Sequence, residues 1–199
     1  MSDFGDISGD LSRFLLRGRI EADSAFDTAP EAPAAIDTEA FKAAMRVLAG
    51  GVVMVTARGG DQLFGLTISA CCSISASPPR VLISLAETAS CLPAVLETRR
   101  FGLSILRVGQ KPLAELGAVP GGPKEVDAFS ESRDGTVTMI AGALAHLDCA
   151  VDQTFRVADH VLVIGNVEHA VSVPVDELEA PGPLLYFTRT FHALGEAVE

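Results

Sequence analysis

Apolar residues recur along this chain with two different periods, and the switch from one to the other separates its elements. Phe41, Ala44, Met45 and Leu48 fall at i, i+3, i+4 and i+7, which predicts an amphipathic helix capped by Asp37 or Thr38 and stopped at Gly50–Gly51. GVVMVTA at 51–57 then reads as a strand, RGGD at 58–61 as a hairpin turn whose glycines supply positive φ, and LFGLTISACC as the returning strand. Pro78 and Pro79 cannot donate ladder hydrogen bonds, so they close that segment and aim VLISL (81–85) into a new strand. A small-residue loop, AETAS (86–90), leads to a short helix with Pro93 in its first turn and Ser90 or Cys91 as its cap. The strand FGLSIL (101–106), a second short helix GQKPLAEL (109–116) and a long Gly-, Pro- and charge-rich connection (117–135) follow. Strands are predicted at 139–151 and 160–173, joined by a turn at Val157 to His160, and LLYFT with FHAL behind it ends the pattern. Many strands, few short helices and tight hairpins predict a mainly β fold, an antiparallel closed barrel with peripheral helices.

The stretch GLTISACCSISASPP, from Gly65 to Pro79, departs from a core pattern. As one strand it would place Thr67, Ser69, Cys71, Ser73 and Ser75 on a single face, because side chains alternate with period two. Small hydrogen-bonding groups in a row suit a cradle for a polar ligand such as a phosphorylated cofactor. They suit equally an ordinary solvent-facing sheet surface.

Composition narrows the class. At 199 residues, 48% of them hydrophobic, the chain suits one domain with a sizeable core. Residues 1–35, mixing acids, Gly, Ala, Thr28, Pro30 and Pro33, read as an extension that is flexible for most of its length, with the domain proper at 36–195. No apolar run reaches the ~20 residues that span a bilayer, and MSDFGDISGD carries acids where a signal peptide is basic, so a cytoplasmic location without membrane contact is expected. A net charge of −11 argues against a nucleic-acid partner, which needs clustered Lys and Arg. The four cysteines, Cys71, Cys72, Cys91 and Cys149, show neither CxxC pairs nor a disulfide framework, and no metal is expected. GxGxxG after a strand, GxxxxGK[ST], HExxH and GxSxG are all missing, which removes the Rossmann, P-loop, zincin and serine-hydrolase readings. His146, His169 and His192 read as surface residues.

The order of segments resembles a known family. FKAAMRVL, GVVMVT, GLTISACCSISASPP, AETASC, FGLSIL, GALAHLDC, ADH and PLLYF stand where the flavin reductase-like domain family carries its helix, GV-x-VVT, G-x-T-x-S…PP, Ser-Thr loop, F-x-V-N-x-L, G-A…C, GDH and PLxY pieces, over roughly residues 38–194. The resemblance implies an FMN-binding split β-barrel of Greek-key-like topology. It implies an NAD(P)H:flavin oxidoreductase, passing hydride from NADH or NADPH to FMN or FAD and supplying reduced flavin to a partner monooxygenase, working as a homodimer. Such chemistry asks the protein mainly to bind and align two rings.

By the same resemblance Thr67, Ser69 and Ala70 would line the flavin's polar edge and ribityl chain, Ser84 and Ala86 would flank the ring, and Ser90 and Cys91 would sit near the phosphate. Phe101 and Ser104 would complete the pocket wall, and His160 would contact the nicotinamide or help keep reduced flavin anionic, with Asp159 orienting its turn. Ala86 stands for a usual Asn, Cys91 for Thr, Ser104 for Asn and Ala158 for Gly, which thins the polar contacts around the ring. A non-catalytic FMN-binding electron-transfer protein on the same barrel, or an interaction module without cofactor, are the alternatives those departures leave open.

Overall fold

The computed structural model describes residues 36–119, 130–133, 137–174 and 182–195. The expected N-terminal extension and most of the 117–135 connection lie outside the described residues. Helix α1 (Thr38–Arg46) is capped by Asp37, whose carboxylate accepts from the N–H groups of Glu39 and Ala40 at 3.3 and 3.2 Å. The strands are β1 (Gly50–Gly51), β2 (Val53–Gly59), β3 (Gln62–Ile68), β4 (Cys71–Ala76), β5 (Pro79–Ala86), β6 (Arg100–Ile105), β7 (Ser130–Arg133), β8 (Val137–Ile140), β9 (Ala145–Val157), β10 (His160–Ser172), β11 (Leu184–Phe187) and β12 (Thr190–Ala193). Two further helices, α2 (Leu92–Thr98) and α3 (Lys111–Ala118), interrupt them, α3 entered through a 3-10 turn at Val108–Gln110.

Seven strands form one antiparallel sheet in the order β3-β2-β6-β9-β10-β5-β4. Its two edge strands, β3 and β4, are consecutive in the chain and joined only by Ser69 and Ala70. A two-residue link cannot cross a flat seven-stranded sheet, whose strands lie ~4.8 Å apart, so the sheet must curl until its edges meet. The result is a barrel with a seam at Ser69–Ala70. A three-stranded sheet, β1-β11-β12, lies beside it.

Alternation along the strands fills the barrel. Val53, Val55, Val81, Ile83, Leu85, Phe101, Leu103, Val161 and Val163 share one core with α2's Leu92, Val95 and Leu96. Fully burying such side chains contributes about 1.5–3 kcal/mol each. The opposite face of β2 and β6 holds a second cluster, in which Met54 and Leu106 meet Leu113 of α3, Ile140 of β8 and Leu184 of β11. Gly165 sits where β10 passes Phe101, and a Cβ there would stand 2.9 Å from Phe101 Cε1 and 3.1 Å from Cys149 Cβ.

Three expectations change. The LFGLTISACC strand breaks at Ser69–Ala70 into β3 and β4, so Thr67 and Cys71 do not share a face: Cys71 packs on the barrel core. The predicted 139–151 strand is divided by a turn in which Gly142 has φ 70, with β8 ending at Ile140 and β9 starting at Ala145. Within the long connection, residues 130–133 form a strand paired with β8.

Candidate functional site

Register sets the site. In antiparallel pairs directly opposed residues point to the same side, and β5 opposes β10 with Ala86 against His160 and Ser84 against Leu162. Val81, Ile83 and Leu85 fill the barrel, so Ser84, Ala86, His160 and Leu162 stand together on its outer surface, half-buried. The seam adjoins this row, because Ser84 donates its backbone N–H to the Ala70 carbonyl at 3.1 Å. The 87–90 loop is tied to the same place by Glu87 N–H to the Asp159 carbonyl at 2.9 Å. Ala70, Ser84, Ala86 and His160 therefore form one ledge, small enough in side chain for a flat ring to approach the backbone.

His160 is held at its edge. Its Nδ1 lies 2.8 Å from Asp159 Oδ1, and this contact holds the Asp159 carboxyl below its ordinary pKa. With Nδ1 engaged, Nε2 is the ring atom left to meet a ligand. The turn that presents the pair has Ala158 at φ 52, the position where the family carries glycine.

Across the seam, Thr67 and Ser69 border a cleft of about 390 Å³ whose other walls include Lys111, Tyr186, Arg189 and Phe191. Thr67 donates its hydroxyl to the Ala114 carbonyl of α3 at 2.9 Å, so it fixes that helix and its oxygen keeps only acceptor capacity towards the cleft. A side chain at Gly117 would run into Thr67 Oγ1 and Met54 Cε, which is why the helix can come this close. Lys111 pairs with Glu115 at 3.4 Å. Ser69 is exposed at the seam itself.

The remaining expected residues are placed elsewhere. Ser90 is exposed at the entrance to α2, where Cys91 occupies the N-cap position with its thiol wholly buried in the barrel core. Phe101 and Ser104 are 1% and 0% exposed and belong to opposite faces of β6, so they do not wall a common pocket. Phe101 fills the barrel interior, against the expectation that it lines the site.

Ser104 instead belongs to a network the sequence reading missed. Its Oγ accepts from the Ile140 N–H at 3.1 Å and meets His146 Nδ1 at 2.9 Å, and His146 Nε2 lies 2.7 Å from Asp148 Oδ1. His146, expected on the surface, is 4% exposed. Its pKa is lowered by burial, which outweighs the opposing hydrogen bond and charge of Asp148. The neutral Nε2–H tautomer completes the chain, accepting at Nδ1 from Ser104 and donating to Asp148. It is a clasp holding β8 to β6 and β9, since Ser104 lies beyond reach of solvent.

Lys111, Tyr186, Arg189 and Phe191 were also missed. The only signal was the PLLYF segment and the charged TRT that follows it, and which side of the barrel that hairpin covers is set by Val52 N–H to Leu184 O at 3.0 Å and by β1–β11 pairing. Among the described residues no three His, Cys, Asp or Glu converge to hold a metal, and no helix is long and apolar enough to cross a membrane.

Comparison with known proteins agrees with this architecture. Residues 45–195 match the family described as "Flavin reductase like domain". The reductase component of 4-hydroxyphenylacetate 3-monooxygenase from Thermus thermophilus is 38% identical over 156 residues, 78% of this chain and 96% of that protein. The flavin reductase (NADH) of Kitasatospora aureofaciens is 34% identical over 163 residues, 80% of this chain and 83% of that one. Among solved structures, the NADH:FAD oxidoreductase SgcE6 of Streptomyces globisporus C-1027, in complex with NAD and FAD fragments, superposes with a TM-score of 0.71 at 26% identity, covering 83% of this chain and 99% of that one. A seamed antiparallel barrel, the ordered motifs it carries and these likenesses together place the chain in the flavin reductase-like domain family.

Proposed function

We propose that the protein is an NADH-dependent flavin reductase that supplies reduced FMN or FAD to a partner monooxygenase, and that flavin lies on the Ala70–Ser84–Ala86 ledge with the nicotinamide entering beside His160. The observation that carries this is the register of β5 on β10, which sets Ser84, Ala86 and the braced His160 on one outward face, with Ala70 of the seam bonded to Ser84 beside them. The ledge suits a flat ring because Ala70 and Ala86 leave the backbone open. Ser69, Ser84 and Ser90 supply hydroxyls for the ribityl chain and phosphate, and Lys111 and Arg189 supply positive charge at the neighbouring cleft. Bound flavin would supply the acceptor for hydride from the nicotinamide. The chain's own part is alignment: the ledge fixes one ring, and His160, oriented by Asp159, sets the position of the other. Cys91 and Phe101 act from within the barrel, as packing, and Ser104 acts in the clasp that joins β8 to β6 and β9. The half-buried Leu82, Leu162 and Ile164 on the same outer surface suit a homodimer interface that would wall the ring on its open side.

The test is flavin binding. Quenching of FMN or FAD fluorescence on titration with the protein is expected, and replacing Ala70 or Ala86 with Leu is expected to weaken it at least tenfold with the circular dichroism unchanged. No quenching by the unaltered protein would overturn the assignment.

A further inference from the structure

Helix α1 buries none of its nine residues. Its apolar side chains stand in the open, with Phe41 53%, Met45 47% and Leu48 66% exposed. Isolated helices shorter than ~12–15 residues are marginal in water, so a helix of this length needs a surface to pack on. The C-terminal end of α1 is tied to the β11–β12 hairpin by the Thr188 N–H to the Arg46 carbonyl at 2.9 Å. Between helix and hairpin runs a groove of about 330 Å³ that combines Phe41, Met45 and Tyr186 with Lys42, Arg46 and Arg189. Its charged walls are all cationic, on a chain whose net charge is −11. Lys42 and Arg46 share the single carboxylate of Glu39, at 2.9 and 3.5 Å.

The chain carries a segment of matching chemistry. Phe4, Ile7, Leu11 and Leu15 recur at helical spacing, and Asp3, Asp6 and Asp10 recur on the stripe beside them. As a helix, residues 4–15 would measure ~18 Å against ~13 Å for α1. Residues 16–35, which separate the two, could extend over ~60 Å at ~3.3 Å each, so the tether allows the approach.

We propose that residues 4–15 dock as an amphipathic segment into the groove between α1 and the β11–β12 hairpin. The apolar stripe meets Phe41, Met45 and Tyr186, and Asp6 and Asp10 meet the cationic wall of Lys42, Arg46 and Arg189. Ser69, Tyr186 and Arg189 also line the larger cleft, so the docked segment lies along that cleft's rim.

Hydrogen exchange on the full chain tests this. In the unaltered protein the amides of residues 41–48 are expected to be protected, and the double substitution Ile7→Asp/Leu11→Asp is expected to speed their exchange about tenfold or more while β9 and β10 stay as they were. Asp6→Lys/Asp10→Lys is expected to do the same, and adding Arg46→Glu/Arg189→Glu to it should slow exchange again, which a merely open groove would not show. Equal exchange in the unaltered and Ile7→Asp/Leu11→Asp chains would overturn the proposal. If it is fast in both, nothing covers the groove; if it is slow in both and speeds up on dilution, a second copy covers it.

Discussion

Asp159 Oδ1 lies 2.8 Å from His160 Nδ1 at the tip of the β9–β10 hairpin, and that single contact turns an exposed imidazole into an oriented one. Replacing His160 with Ala is expected to lower kcat/KM for the nicotinamide about tenfold, the worth of one good hydrogen bond. Asp159→Asn is expected to cost less. Because the contact lowers the Asp159 pKa from 3.8, its carboxylate stays ionised throughout pH 5–8, and the rate profile in that range should carry no limb that Asp159→Asn removes. Steady-state kinetics across pH checks both.

The same turn contains a residue under strain. Ala158 has φ 52, a region that costs an L-residue ~1–2 kcal/mol and glycine almost nothing. Ala158→Gly regains part of that and loses part to the greater freedom of the unfolded chain, so a net gain of up to ~1 kcal/mol is expected. In a domain of this size this raises Tm by ~2–4 °C per kcal/mol. A fall in Tm would contradict the backbone assignment.

His146 is expected to add to acid sensitivity. Its folded pKa is lowered below 6.5 by burial, so well above pH 6.5 it is neutral in both states and contributes no slope. As pH falls below 6.5 the unfolded chain takes up a proton the folded one refuses, and stability drops until the folded pKa is passed. The expected slope is at most one proton, about 1.4 kcal/mol per pH unit. His146→Gln should remove that component of the slope below pH 6.5, measured by urea unfolding at several pH values.

Thiol chemistry gives an independent check on burial. Cys72 is exposed, whereas burial pushes Cys71 up to about 11 and Cys149 up to about 12, and Cys91 is 0% exposed. The thiolate is the reactive form. An aromatic disulfide reagent at pH 8 is therefore expected to label Cys72 rapidly in the native protein, and all four cysteines only after denaturation. Rapid native labelling of Cys149 would contradict the barrel packing.

Much of this fold is written in local pattern. The apolar runs of β2 and β6, the period-two runs of β5 and β10, the positive-φ Gly60 of the 58–61 turn and the position of Pro93 all follow from single-residue stereochemistry, while Gly59, expected at positive φ as well, ends β2 instead. Pattern fails where a non-local partner decides. Ser69 and Ala70 look like any strand residues, and only closure of the sheet makes them a seam. Phe101 and Ser104 could have been separated by parity alone, being three apart on one strand. That Ser104 is covered, however, depends on β8 folding over it, more than thirty residues away along the chain. His146 is hidden by the same strand, so its burial had no local sign. The ledge was legible in part: Ser84, Ala86 and His160 come together through register, while the cleft residues Lys111 and Arg189 are brought near Ser69 only by packing of α3 and the last hairpin.

The most direct measurement is oxidation of NADH followed at 340 nm with the purified protein and added flavin. Turnover of at least about 1 s⁻¹ is expected, requiring FMN or FAD and falling in His160→Ala and Ala86→Leu. Oxidation no faster than the protein-free background, with FMN, FAD or riboflavin and with either NADH or NADPH, would contradict it.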